Sequence, residues 1–174
     1  MTPERRPVVG VMGAGEPGEA SLAAARKLGR LLAERGWIVL TGGRPAGVMA
    51  AACAGAKEIP GALTLGILPG LAGAGAEVDI AVFTGMGDAR NAINVLTSDV
   101  VIACGVEGPG TTSEIALALK AGKPVILLNG GEAAARFFRG LRSPGRLLEA
   151  GEPEEAVRLI EQELAVPRWS RSSD

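Results

Sequence analysis

Two stretches of this chain are aliphatic at every position: Val100-Val101-Ile102-Ala103 and Val125-Ile126-Leu127-Leu128. A strand with one face in water alternates polar and apolar residues, so an unbroken run of this length needs cover on both faces. Such strands belong in a parallel sheet, and parallel neighbours need a crossover segment, usually a helix, between them. The rest of the chain supplies that alternation. Apolar runs predict strands over 7–12, 37–40, 63–68, 78–83, 100–104 and 124–128. Helical periodicity predicts helices over 21–35, 46–56, 88–96, 111–121, 133–138 and 152–164. In the first helix Leu22, Ala25, Leu28 and Leu32 share one face against Arg26, Lys27, Arg30 and Glu34, and Gly36 stops it. The expected fold is α/β: a doubly wound parallel sheet in a Rossmann-like three-layer α/β/α sandwich. At 174 residues, with no repeat and no long linker, it reads as one domain over 1–167, with 168–174 as a disordered tail.

Composition narrows the chemistry. With no His, the chain cannot build a His-based triad, a His-ligated metal site or imidazole acid–base catalysis, and no metal is expected. A net charge of -1 gives no basic field for a nucleic-acid backbone. Cys53 and Cys104 lie in apolar surroundings without CxxC spacing, as buried thiols do in a reducing compartment. No apolar run reaches membrane-spanning length and no signal-peptide core follows the first residues. The expectation is a cytoplasmic protein with no membrane or nucleic-acid partner.

Glycine-rich turns follow three of the strands, at the sheet edge where open α/β folds bind ligands. Gly13-Ala14-Gly15-Glu16-Pro17-Gly18 matches GxGxxG, but the end of the second strand, Ile38-Val39-Leu40-Thr41-Gly42, lacks the ribose-binding acid of a dinucleotide site. It reads either as a tight turn launching a helix or as the lining of another nucleotide site. In Thr41-Gly42-Gly43-Arg44-Pro45-Ala46-Gly47, the glycines let backbone approach a ligand, and Arg44 offers a forked donor. In the third turn, residues 105–114, Gly108, Gly110, Thr111, Thr112 and Ser113 open a helix whose free amides and dipole suit a phosphate. Glu114 has two readings: the second half of a capping box with Thr111, or a functional carboxylate. Arg90 stands in the first turn of its helix, where a cation gains nothing from the dipole, which points to a ligand-facing role. Asp88 reads as an N-cap or first-turn acid, and Asn91 as an added amide contact.

Across roughly residues 7–130 the chain resembles the LOG-like, formerly "lysine decarboxylase-like", nucleotide-binding proteins, most of all the short branch that includes molybdenum cofactor carrier proteins. The resemblance rests on Gly42-Gly43-Arg44-Pro45-Ala46-Gly47-Val48-Met49, Gly66-Ile67-Leu68-Pro69, Arg90-Asn91, Ser98-Asp99 and Gly110-Thr111-Thr112-Ser113-Glu114, in that order. It implies binding or carrying of a phosphorylated nucleotide or pterin, with the molybdenum cofactor or a nucleoside monophosphate as bound ligand. The alternative is a phosphoribohydrolase that splits base from ribose in a nucleoside 5'-monophosphate. That enzyme would need no cofactor and would use Arg90 and Glu114 as catalytic residues. Two departures count against it: Asn91 stands where the hydrolases have lysine, and Gly105-Val106-Glu107-Gly108-Pro109-Gly110 places an extra carboxylate beside the phosphate turn. Lysine decarboxylation has no support, because no lysine is placed for a pyridoxal cofactor.

The helix over 46–56 carries no charge, and 111–121 is nearly as bare. Both faces of such a helix need cover, one from the sheet and the other from a neighbouring helix or subunit. The expectation is a homodimer, or two such dimers paired, with 46–56 and parts of 111–121 at the interface and the ligand clefts nearby, in keeping with the dimers and larger assemblies of the LOG-like proteins.

Overall fold

A computed structural model describes residues 5–166; the tail expected at 168–174 lies outside them. Seven strands form one all-parallel sheet: β1 (Val8–Gly13), β2 (Ile38–Thr41), β3 (Thr64–Leu68), β4 (Ile80–Phe83), β5 (Val100–Cys104), β6 (Val125–Leu128) and β7 (Leu147–Ala150), in spatial order β4-β3-β2-β1-β5-β6-β7. The six helices are α1 (Glu19–Glu34), α2 (Gly47–Ala56), α3 (Asn91–Thr97), α4 (Pro109–Lys120), α5 (Glu132–Arg139) and α6 (Pro153–Ala165). Every strand neighbour is parallel. The doubly wound architecture is therefore the one the aliphatic runs require, and β5 and β6 are buried at every position.

The core lies in two layers. Val9, Val11, Val39, Val100 and Ile102 pack against Leu28 and Leu32 of α1, Val48 and Ala52 of α2, and Val157 and Ile160 of α6. On the opposite face Met12, Leu40, Val101 and Leu127 meet Val95 of α3, Ile115 and Leu119 of α4, and Phe138 of α5. Each fully buried large aliphatic side chain contributes about 1.5–3 kcal/mol.

Three local expectations change. The strand β7 has no counterpart among the predicted elements, because Leu147 and Leu148 are followed by Glu149, too little apolar pattern for a half-covered edge strand. The helix expected over 88–96 is instead a short 3-10 turn, Gly87–Arg90, followed by α3. The chargeless α2 finds its second cover inside the chain. It lies so close to α1 that a Cβ on Gly29 would sit 2.0 Å from the Ala52 carbonyl oxygen, and one on Gly55 would sit 1.8 Å from that of Arg26. No residue of α2 is exposed, so its lack of charge is explained without a second subunit.

Two quoted sequence motifs prove architectural. Ser98 and Asp99 sit at the start of β5, at the sheet edge opposite the glycine turns. Asp99 accepts hydrogen bonds from the Val8 amide at 2.9 Å and from the Arg5 guanidinium at 2.7 Å, while Ser98 caps the Asn94 carbonyl at 2.8 Å. Gly66 lets the turn after β2 approach: a Cβ there would stand 2.7 Å from the Gly43 Cα.

Candidate functional site

The strand order reverses between β1 and β5, so α1 and α4 leave on opposite faces and a crevice opens above the strand ends. A cavity of about 210 Å³ occupies it. The three glycine turns converge there. Gly13, Gly15, Gly42 and Arg44 line it from the first two, and Gly108, Gly110, Thr111 and Glu114 from the third. The 3-10 turn and the start of α3 add Asp88, Arg90 and Asn91. Gly43, Thr112 and Ser113, expected with them, do not line the cavity. Gly43 turns with φ +72 against Gly66, and the two hydroxyls are used inside α4. Thr112 Oγ1 donates to the Gly108 carbonyl at 3.0 Å and Ser113 Oγ to that of Gly110 at 2.7 Å.

Arg90 is the centre of the site. The residue is only 5% exposed, and its Nε and Nη1 make no hydrogen bond among the described residues. Gly42 makes room for it: a Cβ there would stand 2.6 Å from Nη1 and 2.9 Å from Nη2. Glu114 Oε1 lies 3.9 Å from Nη1, within Coulombic range but beyond a hydrogen bond. Burial lowers the guanidinium below its ordinary value, opposed by the Glu114 charge; it remains a cation. Burial likewise pushes the Glu114 carboxyl up, opposed by the Asn94 hydrogen bond and by the cations of Arg90 and Arg44. A buried cation with unmade hydrogen bonds is costly unless an anion completes it.

The start of α4 points to the same chemistry. Gly108 is its N-cap and Pro109 its first residue, and the first backbone bond of the helix runs from the Thr112 amide to the Gly108 carbonyl at 3.1 Å. That leaves the amides of Gly110 and Thr111 without a hydrogen-bond partner among the described residues, with the dipole favouring negative charge. The capping box does not form, because Thr111 lies inside the helix and Glu114 turns to α3 instead. There Asn94 Nδ2 donates to Glu114 Oε1 at 2.8 Å. Asn91 Nδ2 donates to Ser113 Oγ at 2.9 Å, bracing α3 against α4. Asp88 is an exposed carboxylate on the rim and makes no side-chain cap. Glu107, expected to crowd a phosphate, is exposed and accepts a hydrogen bond from Ser21 Oγ at 3.1 Å, outside the cavity lining.

Asn94 escaped the sequence reading. It is fully buried, and its Oδ1 has no hydrogen-bond partner among the described residues. The available signal was an amide four residues after Arg90, on the same helical face, between Ile93 and Val95. Among the described residues no cluster of three or more His, Cys, Asp or Glu is placed to hold a metal ion. None of their helices is long and apolar enough to cross a membrane.

The chain is similar to the molybdenum cofactor binding protein of the phototrophic bacterium Rippkaea orientalis, with 49% identity and a TM-score of 0.88 over 92% of this chain and 99% of that one. It is similar to the Moco carrier protein of Chlamydomonas reinhardtii, with 47% identity and a TM-score of 0.86 over the same shares. An "Uncharacterized protein" of Archaeoglobus fulgidus is 46% identical over 121 residues, 69% of this chain and 78% of that protein. Residues 6–157 match the SLOG cluster4 family, and the chain belongs to that family.

Proposed function

We propose that this chain binds and carries a phosphorylated nucleotide or pterin in the cleft between β1 and β5, with the molybdenum cofactor as the leading cargo. The observation that carries the reading is Arg90: a buried guanidinium at the cavity, with two nitrogens lacking hydrogen-bond partners among the described residues. Arg44 and the amides of Gly110 and Thr111 add donors around the same space. A phosphate monoester supplies the missing negative charge and the acceptor oxygens. At about 210 Å³ the cavity, which opens to solvent, is below the roughly 300–1,000 Å³ of drug-sized sites. It therefore takes the phosphate end, and the rest of the ligand lies over the exposed rim at Arg44 and Asp88. The proteins of Rippkaea and Chlamydomonas, named for binding or carrying this cofactor, supply the choice of cargo.

A carrier holds its ligand without turnover, whereas a phosphoribohydrolase releases free base. Mass spectrometry of what co-purifies with the protein tests the cargo. Incubation with a panel of nucleoside 5'-monophosphates tests turnover: no free base is expected, and its release with Glu114-dependent kinetics would replace the carrier reading. The same proposal takes the protein as a cytoplasmic homodimer, or as two such dimers paired.

A further inference from the structure

Arg90 and Glu114 carry opposite charges, are both buried and line the same cavity, yet they do not close on each other. An arginine–carboxylate pair left to itself closes to about 2.7–2.9 Å, often through two parallel bonds, and burial raises the gain from doing so. Here Arg90 Nη1 stands 3.9 Å from Glu114 Oε1. That same oxygen is held from α3, where Asn94 Nδ2 donates to it at 2.8 Å. Asn94 is fully buried, and its Oδ1 has no partner among the described residues. A buried amide with one end unmet costs stability that an apolar side chain between Ile93 and Val95 would not. What its other end holds accounts for its presence. The backbone supports such a hold. Arg90 ends the 3-10 turn, and Asn94 follows four residues later in α3, on the same helical face. One turn back, Asn91 bonds Ser113, the neighbour of Glu114, at 2.9 Å, so α3 and α4 are fixed in register.

We infer that Asn94 is a positioning residue: by holding Glu114 Oε1 it keeps the carboxylate off Arg90 and leaves Nε and Nη1 open to the anion. This rests on the reading of the cleft as a phosphate site. Released from Asn94, Glu114 needs to move only about 1 Å to bond the guanidinium. An internal carboxylate then occupies the donors that the ligand requires, and the site is closed from within. The other charges around the pair do not substitute for the amide. Arg44, on the turn after β2, attracts Glu114, and Asp88, on the 3-10 turn, attracts Arg90. Neither forms a hydrogen bond to the pair among the described residues, so the Asn94 amide alone fixes where the carboxylate points.

The test has two readouts on the full chain. The first needs no ligand: carbon-13 NMR of carboxyl-labelled glutamate over roughly pH 3–9, a range that spans ordinary and raised carboxyl values. Glu114 is identified by the signal missing from Glu114→Gln. In Asn94→Ala the carboxyl is expected to titrate below its wild-type position, because closing on Arg90 favours the charged form. Loss of the amide bond without closure moves it the other way, since that bond lowers it. A raised or unmoved titration overturns the proposal. The second readout is calorimetric titration with inorganic phosphate and a nucleoside 5'-monophosphate. On the alkaline side of its Glu114 titration, Asn94→Ala should bind both about 10-fold or more weakly. Adding Glu114→Gln removes the charge that captures Arg90 and should restore affinity to within about threefold of Glu114→Gln alone. A loss that Glu114→Gln does not rescue marks a merely structural amide and overturns the proposal. Ser113→Ala, which removes the neighbouring bond between α3 and α4, is the control and should leave both readouts unchanged. Asn94→Leu, which keeps the volume, is made beside Asn94→Ala, and whichever folds by circular dichroism decides. A wild type that binds neither anion overturns the phosphate reading of the cleft, while the carboxyl titration still decides what Asn94 holds.

Discussion

Replacing Gly42 with alanine tests where the Arg90 guanidinium sits without touching its charge. Gly42 is not among the positive-φ glycines, so alanine meets no backbone strain. The difficulty is the new methyl group, placed 2.6 Å from Arg90 Nη1, 2.9 Å from Nη2 and 2.8 Å from Met49 Sδ. Comfortable non-bonded separations are about 3.5–4.0 Å, so the guanidinium must retreat by roughly 1 Å. It is the far end of a flexible side chain, so the fold should lose only about 1 kcal/mol, the low end of overpacking costs. Binding should suffer more. A hydrogen bond to a charged group contributes about 1.5–3 kcal/mol, and losing one lowers affinity by about 10- to 150-fold. Calorimetric titration with inorganic phosphate and with a nucleoside 5'-monophosphate reads this directly. Gly18→Ala is the control, because a Cβ there meets nothing within 4 Å and Gly18 does not line the cavity. If folded Gly42→Ala binds both anions within twofold of wild type, Arg90 is not the anion receptor.

Gly29→Ala should destabilise the fold by about 1–3 kcal/mol or more, since the obstacle is the Ala52 backbone rather than a movable side chain; urea unfolding at an unchanged m-value checks it. Glu114 titrates above its ordinary value because it is buried. The native state therefore holds that proton more tightly than the unfolded chain, and stability should fall as pH rises from about the ordinary value of 4.5 through the raised one. Glu114→Gln should remove that slope in melts across pH. Sulfate, which does not titrate in this range, should bind wild type more weakly as Glu114 ionises, while Glu114→Gln binds it with a flat profile. Burial pushes the Cys104 thiol up to about 12 and raises Cys53 as well. Both should resist a thiol reagent at pH 8 until denaturant is added; rapid labelling of the native protein would contradict their burial.

What the amino-acid sequence determined was set by local rules. A strand buried on both faces must be aliphatic throughout, which makes β5 and β6 legible, and a phosphate-binding turn must be rich in glycine and precede a helix. The sheet edge at which the cavity opens, and the glycine turns that line it, followed from those two requirements. The structure decided whatever depended on partners distant along the chain. The capping-box pattern of Thr111 and Glu114 is a genuine local option, but Asn94, twenty residues away, holds the carboxylate instead. The hydroxyls of Thr112 and Ser113 looked like ligand donors, yet nearby carbonyls of their own helix take them first. Composition could show that α2 needs cover on two faces but not that α1 provides it, because close approach at Gly29 and Gly55 is a property of two packed backbones. The same holds for Gly42 and Arg90, separated by 48 positions. Their contact exists only because a parallel sheet brings the ends of non-consecutive strands to one edge, where the absence of a Cβ becomes space for a guanidinium.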